Sequence, residues 1–290
     1  MTTRALVLGG GGPVGIAWES GLVAGFAQAG VDLSQADFIM GTSAGSFVGA
    51  RLALGADART LAEPILKEAE RAPRGRGGGP PADLSRLREL MAEAQSGKRN
   101  PSEVRAEIGA FALQAQTIDE ATFLASFGRS FAEQAAWPQK DYACTAVDAE
   151  DGSFRLWTAQ AGAPLNRAVA SSCSVPGVYP PVTIGDRRYI DGGMRSSTNA
   201  DMAVGYDIVV VIAVRVGDGS EIARRVEAQT AAEVQTLQDG GAVVVVIGPD
   251  DGSLASFGPD LMDFTRRPDA ARAGLAQGQS QAAILKDIWG

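Results

Sequence analysis

No histidine occurs among the 290 residues of this chain, yet it carries the pentapeptide Gly41-Thr42-Ser43-Ala44-Gly45. A G-x-S-x-G run that follows an apolar segment and precedes a helical one reads as a strand turning sharply into a helix, with the serine held at the turn. A serine hydroxyl is a weak nucleophile and needs an adjacent base. That base is ordinarily the imidazole of a Ser-His-Asp triad, which this chain cannot build. Either Ser43 is an ordinary residue at a strand-to-helix turn, or a carboxylate takes its proton directly. The segment Tyr189-Ile190-Asp191-Gly192-Gly193 offers that carboxylate.

A second glycine-rich turn follows the first apolar run, Arg4–Leu8: Gly9-Gly10-Gly11-Gly12-Pro13-Val14-Gly15. Consecutive glycines let several N–H groups point into one concavity, which can hold the oxyanion of an acyl-transfer intermediate. The same residues satisfy the dinucleotide-binding pattern G-x-G-x-x-G. That reading asks for an acidic residue after a second strand, whereas Asp32 and Asp37 precede most of the second strand, which ends in the serine turn. Asp191, at a strand end before two glycines, has its own plain alternative as a hairpin turn. A carboxylic acid of pKa ~3.9 is a poor base in water, but desolvation raises that value.

Periodicity places helices at about 16–29 and 43–54, and short strands at 4–8 and 36–40. From Asp57 to about residue 136 helix formers dominate and no strand signal occurs, so this stretch reads as a helical insertion. It includes Asn100-Pro101, a helix start, and the breaker run Arg74–Pro81. Strands return at 141–147 and 153–158, followed by a helix at 165–172. A hairpin is expected around Gly185-Asp186. Continuous β-branched runs at 208–214 and 243–247 read as strands covered on both faces, with a helix at 221–237 between them and a last helix at about 268–288. Together these predict one α/β domain over residues 1–290, with the helical insertion at about 57–136.

With 45% hydrophobic residues and a net charge of −8, the chain reads as a globular protein that does not bind nucleic acid. No apolar run is long enough for a signal segment or a membrane span, so a soluble cytoplasmic protein is expected. Cys144 and Cys173 form neither a disulfide framework nor a zinc spacing, and no calcium-loop motif is present. No metal or cofactor is expected.

The glycine-rich turn, the serine elbow and the Asp-Gly-Gly segment, in this order, resemble the patatin-like phospholipases, lipid acyl hydrolases that use a Ser-Asp dyad without histidine. Ala170–Gly177, Tyr179-Pro180-Pro181 and Arg187–Ile190 also resemble the stretch leading to that family's aspartate. The resemblance implies a three-layer α/β/α core with a mostly parallel central sheet and a helical cap. It further implies Ser43 as nucleophile, Asp191 as general base, and Gly10, Gly11 and Gly12 as oxyanion donors. One departure stands in the glycine turn, where the family often carries Arg or Lys before the last glycine. This chain has Val14 there, after Pro13, which lacks an N–H.

The implied partner is a lipid or other ester substrate, with transient contact at a membrane surface. Phe111, Leu113, Phe123, Leu124, Phe127 and Phe131 are candidates for an acyl groove, or for packing of the cap onto the core. Arg71, Arg74 and Arg76 are candidates for a lipid phosphate. Two other function classes stay open: acyl transfer through the same dyad, and lipid binding with weak catalysis. Lipid class, positional preference and oligomeric state are not specified by the sequence.

Overall fold

Eight strands form one mostly parallel sheet in the computed structural model, which describes residues 2–70, 84–95, 98–128, 130–131, 136–215, 219 and 221–289. The strands are β1 (Arg4–Leu8), β2 (Phe38–Gly41), β3 (Asp141–Asp148), β4 (Phe154–Trp157), β5 (Val182–Ile184), β6 (Arg187–Asp191), β7 (Ile208–Ile212) and β8 (Val243–Ile247). Their order is β5-β6-β3-β2-β1-β7-β8, with β4 also paired to β3. The pairs β1–β2, β1–β7, β2–β3 and β7–β8 are parallel; those of β3 with β4 and β6, and of β5 with β6, are antiparallel.

Alternation along β1 explains the layers. Leu6 and Leu8 join a cluster with Trp18, Leu22 and Phe26 of α1 (Gly12–Gln28) and Val48 of α2 (Ala44–Ala53). Ala5 and Val7 point the other way, into a smaller cluster with Val209, Val211 and Leu237. Helices therefore cover both faces, and the architecture is a three-layer α/β/α fold. The remaining helices are α3 (Glu63–Leu66), α4 (Ser85–Gln95), α5 (Pro101–Gln114), α6 (Glu120–Phe127), α7 (Leu165–Ser172), α8 (Glu221–Asp239), α9 (Asp251–Phe257), α10 (Arg267–Gln281) and α11 (Ala283–Trp289). Between Asp57 and residue 136 the described residues form helices, single helical turns and loops, with no strand. Asn100 caps α5, its side chain accepting from the Ser102 N–H.

Three expectations need correction. α1 begins at Gly12 rather than Ile16, because Pro13 sits in the first turn, where a missing N–H costs nothing. β8 is an edge strand with Val243 54% and Val246 46% exposed. A continuous valine run reads the same at an edge as at the centre. The single last helix is two, α10 and α11, and α9 before them carried no recognised signal.

Glycines set the contact between α1 and α10. A Cβ on Gly21 or Gly25 would lie 2.2–2.3 Å from backbone oxygens of α10, and a Cβ on Gly274 or Gly278 would lie 2.3 Å from those of α1. Four-residue spacing places each pair on one face, so the two backbones touch without side chains between them. Among the described residues, no helix is long and apolar enough to cross a membrane.

Candidate active site

Pairing along β3 brings the two halves of the site together. Cys144 pairs with Gly41 of β2 and with Trp157 of β4, so β2 and β4 lie on opposite edges. Ala146 pairs with Arg155 of β4 and with Asp191 of β6, so β6 lies on the same edge as β2. The parallel strand β2 and the antiparallel strand β6 thus run toward each other along one edge and stop two residues apart. Ser43 lies just past the end of one, and Asp191 ends the other.

Ser43 sits at the N-terminus of α2 with φ 52° and ψ −115°, a left-handed conformation that is costly for a residue with a side chain. The flanking glycines are required by space. A Cβ on Gly41 would lie 2.3 Å from the Gly45 backbone, and one on Gly45 would lie 2.1 Å from the Leu8 carbonyl oxygen. Side chains from the end of α7 and the residue after it hold the turn. The Ser43 N–H donates to Ser172 Oγ at 2.9 Å, and Cys173 Sγ donates to the Ser43 carbonyl at 3.2 Å. Ser46 Oγ donates to the same carbonyl at 2.6 Å.

Asp191 is 2% exposed. Its N–H donates to the Ser174 carbonyl at 3.0 Å, and its Oδ1 accepts the Gly193 N–H at 2.7 Å. Burial raises its carboxyl pKa to about 7, against the lowering influence of the neighbouring Ser43 hydroxyl and of the Gly193 N–H. Ser43 and Asp191 are therefore neighbours, and the acid is poised near neutrality.

A buried polar network ties the two turns together. Thr42 Oγ1 lies 2.9 Å from Thr145 Oγ1, and Asn199 Nδ2 donates to Thr42 Oγ1 at 3.0 Å and to the Ser196 carbonyl at 2.8 Å. A Cβ on Gly192 would meet Thr145 Oγ1 at 2.1 Å, which is why glycine follows the aspartate. Ser172, Thr145 and Asn199 were not singled out individually from the sequence, and Cys173 was read only as a cysteine outside any disulfide or zinc pattern. The partners that tie them to the two turns and to each other lie 54 to 157 positions away, and no local pattern marks them.

The glycine-rich turn packs beside Ser43, and a Cβ on Gly10 would lie 3.4 Å from Ser43 Cβ. The Gly10 N–H is engaged, donating to the Ser197 carbonyl at 2.7 Å. The amides of Gly11 and Gly12 have no acceptor among the described residues, and neither does that of Ala44, which directly follows the serine. Gly12, Ser43 and Ala44 all border a cavity of about 1060 Å³. Of the six apolar residues expected along an acyl groove, Phe123 and Phe127 line it. Phe131 packs edge-on against Phe47, itself a lining residue, and Phe111 and Leu113 pack in a separate cluster with α4 and α5. Arg71, Arg74 and Arg76 lie outside the described residues.

Beneath this turn, Glu19 of α1 is fully buried, and neither carboxylate oxygen has a partner. Burial pushes its pKa well above the usual carboxylate range, with an opposing pull from the Gly9 N–H. Among the described residues no cluster of His, Cys, Asp or Glu has the makings of a metal site.

Residues 6–204 match the model of the patatin-like phospholipases. The chain belongs to the patatin-like phospholipase family. Among solved structures, this patatin-like chain aligns with VipD from Legionella pneumophila at 13% identity and a TM-score of 0.49, over 98% of this chain and 67% of VipD. It aligns with the type III effector protein ExoU at 16% identity and a TM-score of 0.36, over 98% of this chain and 53% of ExoU. The chain thus spans about two thirds of the first and about half of the second. No curated protein matches it.

Proposed function

We propose that this patatin-like protein is a lipid acyl hydrolase in which Ser43 attacks the ester carbonyl and Asp191 is the general base. The observation that carries this reading is the meeting of the Ser43 turn and the end of β6 on one edge of β3, which sets Ser43 beside a buried carboxyl whose pKa is raised to about 7. Asp191 accepts the Ser43 proton as Oγ bonds to the carbonyl carbon. The tetrahedral intermediate places its negative oxygen among N–H donors of the glycine-rich turn. Of Gly10, Gly11 and Gly12, the last two have amides open for this role, and the Ala44 amide at the helix N-terminus is a third candidate. Each such donor is worth ~10²–10³ in turnover. Asp191 then gives its proton to the leaving alcohol, and water repeats the cycle on the acyl-enzyme.

The helical stretch at about 57–136 acts in this reading as a cap on a single domain. Its helix α6 supplies Phe123 and Phe127 to the cavity wall, beside Phe47 and Tyr179 of the core. Such a wall suits an acyl chain, taken up during transient contact with a lipid surface.

Hydrolysis of p-nitrophenyl esters of rising chain length, with a metal chelator present, tests the reading. Ser43→Ala and Asp191→Asn should each lower kcat at least about 10³-fold and leave the melting temperature within a few degrees. Ser43→Ala should also abolish labelling by a fluorophosphonate. An Asp191→Asn protein that keeps half the wild-type rate overturns the dyad.

A further inference from the structure

Two turns of α2 separate Ser43 from Arg51, about 12 Å of axial rise. Both residues border the 1060 Å³ cavity, as does Arg267 of α10. Arg267 is already paired: its guanidinium meets both Glu68 oxygens, at 3.0 and 3.2 Å. Arg272, also on the cavity wall, pairs with Asp269 at 2.6 Å. Among the described residues Arg51 has no such partner. Its one hydrogen bond among the described residues is a long one, 3.4 Å to the Leu61 carbonyl.

Burial and the nearby charge of Arg267 both lower the pKa of Arg51. Two guanidinium groups thus border one cavity, and among the described residues Glu68 is the acidic partner of Arg267 alone. The cavity therefore carries a surplus positive charge at a fixed distance from the nucleophile.

We infer that Arg51, with Arg267 beside it, forms a subsite for the phosphate of a glycerophospholipid whose ester carbonyl lies at Ser43. The inference rests on the Ser43 reading of the site. A planar guanidinium with most of its donors open matches phosphate oxygens in pairs. A phosphate there restores charge balance. Acyl carbons then run along Phe47, Phe123 and Phe127. A neutral glyceride fills the same apolar wall but leaves the Arg51 charge unpaired, so the site discriminates by headgroup.

The test compares a short-chain phosphatidylglycerol with the matching diacylglycerol, both below their aggregation limits, on wild type, Arg51→Gln and Arg51→Lys. The ratio of kcat/KM for the phospholipid over the glyceride should fall at least tenfold in Arg51→Gln, mainly through KM. Arg51→Lys, which keeps the charge but not the fork, should recover part of the loss. An unchanged ratio in a folded Arg51→Gln protein overturns the subsite.

Binding to the Ser43→Ala protein by calorimetry gives a readout independent of turnover. There the phosphatidylglycerol should bind at least tenfold more weakly once Arg51→Gln is added. Equal binding with and without Arg51 also overturns the subsite. Inorganic phosphate should bind far more weakly than the lipid; if it binds equally well, the pair is a free-phosphate site and the lipid assignment fails. Wild-type turnover that survives Ser43→Ala refutes the nucleophile instead, and the binding comparison still judges the subsite.

Discussion

A carboxylate that must take a proton from a hydroxyl works best when its own affinity for protons is near that of the medium. Asp191 meets this condition because it is buried at a strand end, while the Gly193 N–H and the neighbouring Ser43 hydroxyl keep its pKa from rising further. The direction of the pH dependence follows. Its pKa is raised to about 7, so the basic form is present above that pH and is lost as pH falls through it. Turnover should therefore rise along a single limb centred near pH 7, with about a tenth of the plateau one unit below. A pH-rate profile with its acid limb near 4 would place the base elsewhere. That Ser43 and Asp191 would lie together was legible because a missing histidine narrowed the candidates for a base and glycines marked both turns. The engagement of the Gly10 amide by Ser197 was not, since a run of four glycines does not say which N–H groups the fold will use.

Elements with their own punctuation were legible to within a residue or two. The helix at 165–172 follows a proline, and the hairpin at 182–191 turns at Gly185, φ 66°. The edge position of β8 and the break between α10 and α11 depend on what lies alongside, which local pattern does not carry. The same holds for the contact of α1 with α10. Gly21-Gly25 and Gly274-Gly278 look like helix-weakening residues until the two backbones are seen to touch. Their replacement costs more than helix propensity alone, about 1 kcal/mol in the favourable direction for Gly to Ala. Gly278→Val should lower the unfolding free energy by about 3 kcal/mol or more through overpacking, and denaturant titration measures it. A variant as stable as wild type would mean that the helices separate without penalty.

On the scale of the molecule, the family match and the fold have different extents. The match ends at residue 204, while β1 at the centre of the sheet takes β7, Ile208–Ile212, as one of its two neighbours. The α1 face carrying Gly21 and Gly25 is closed only by α10. A chain cut after residue 204 should therefore fail to give a cooperative unfolding transition, although it contains Ser43, Asp191 and the whole glycine-rich turn. A truncated protein that melts cooperatively near the full-length temperature would show that the later elements are an addition. The positions of most strands along the chain and the α/β class were legible because strand and helix signals alternate. The meeting of β2 and β6 end to end on β3 was not, since it is a property of register across about 150 positions.

The contact between α1 and α10 also has a history in time. Translation delivers α1 about 250 residues before the helix that closes on it, an interval of roughly ten to fifty seconds at ordinary elongation rates. Throughout that interval the nascent chain holds its serine turn and then its aspartate, but one side of the helix beneath them stands open to water. A site built this way stays unfinished until α10 has left the ribosome and packed against α1.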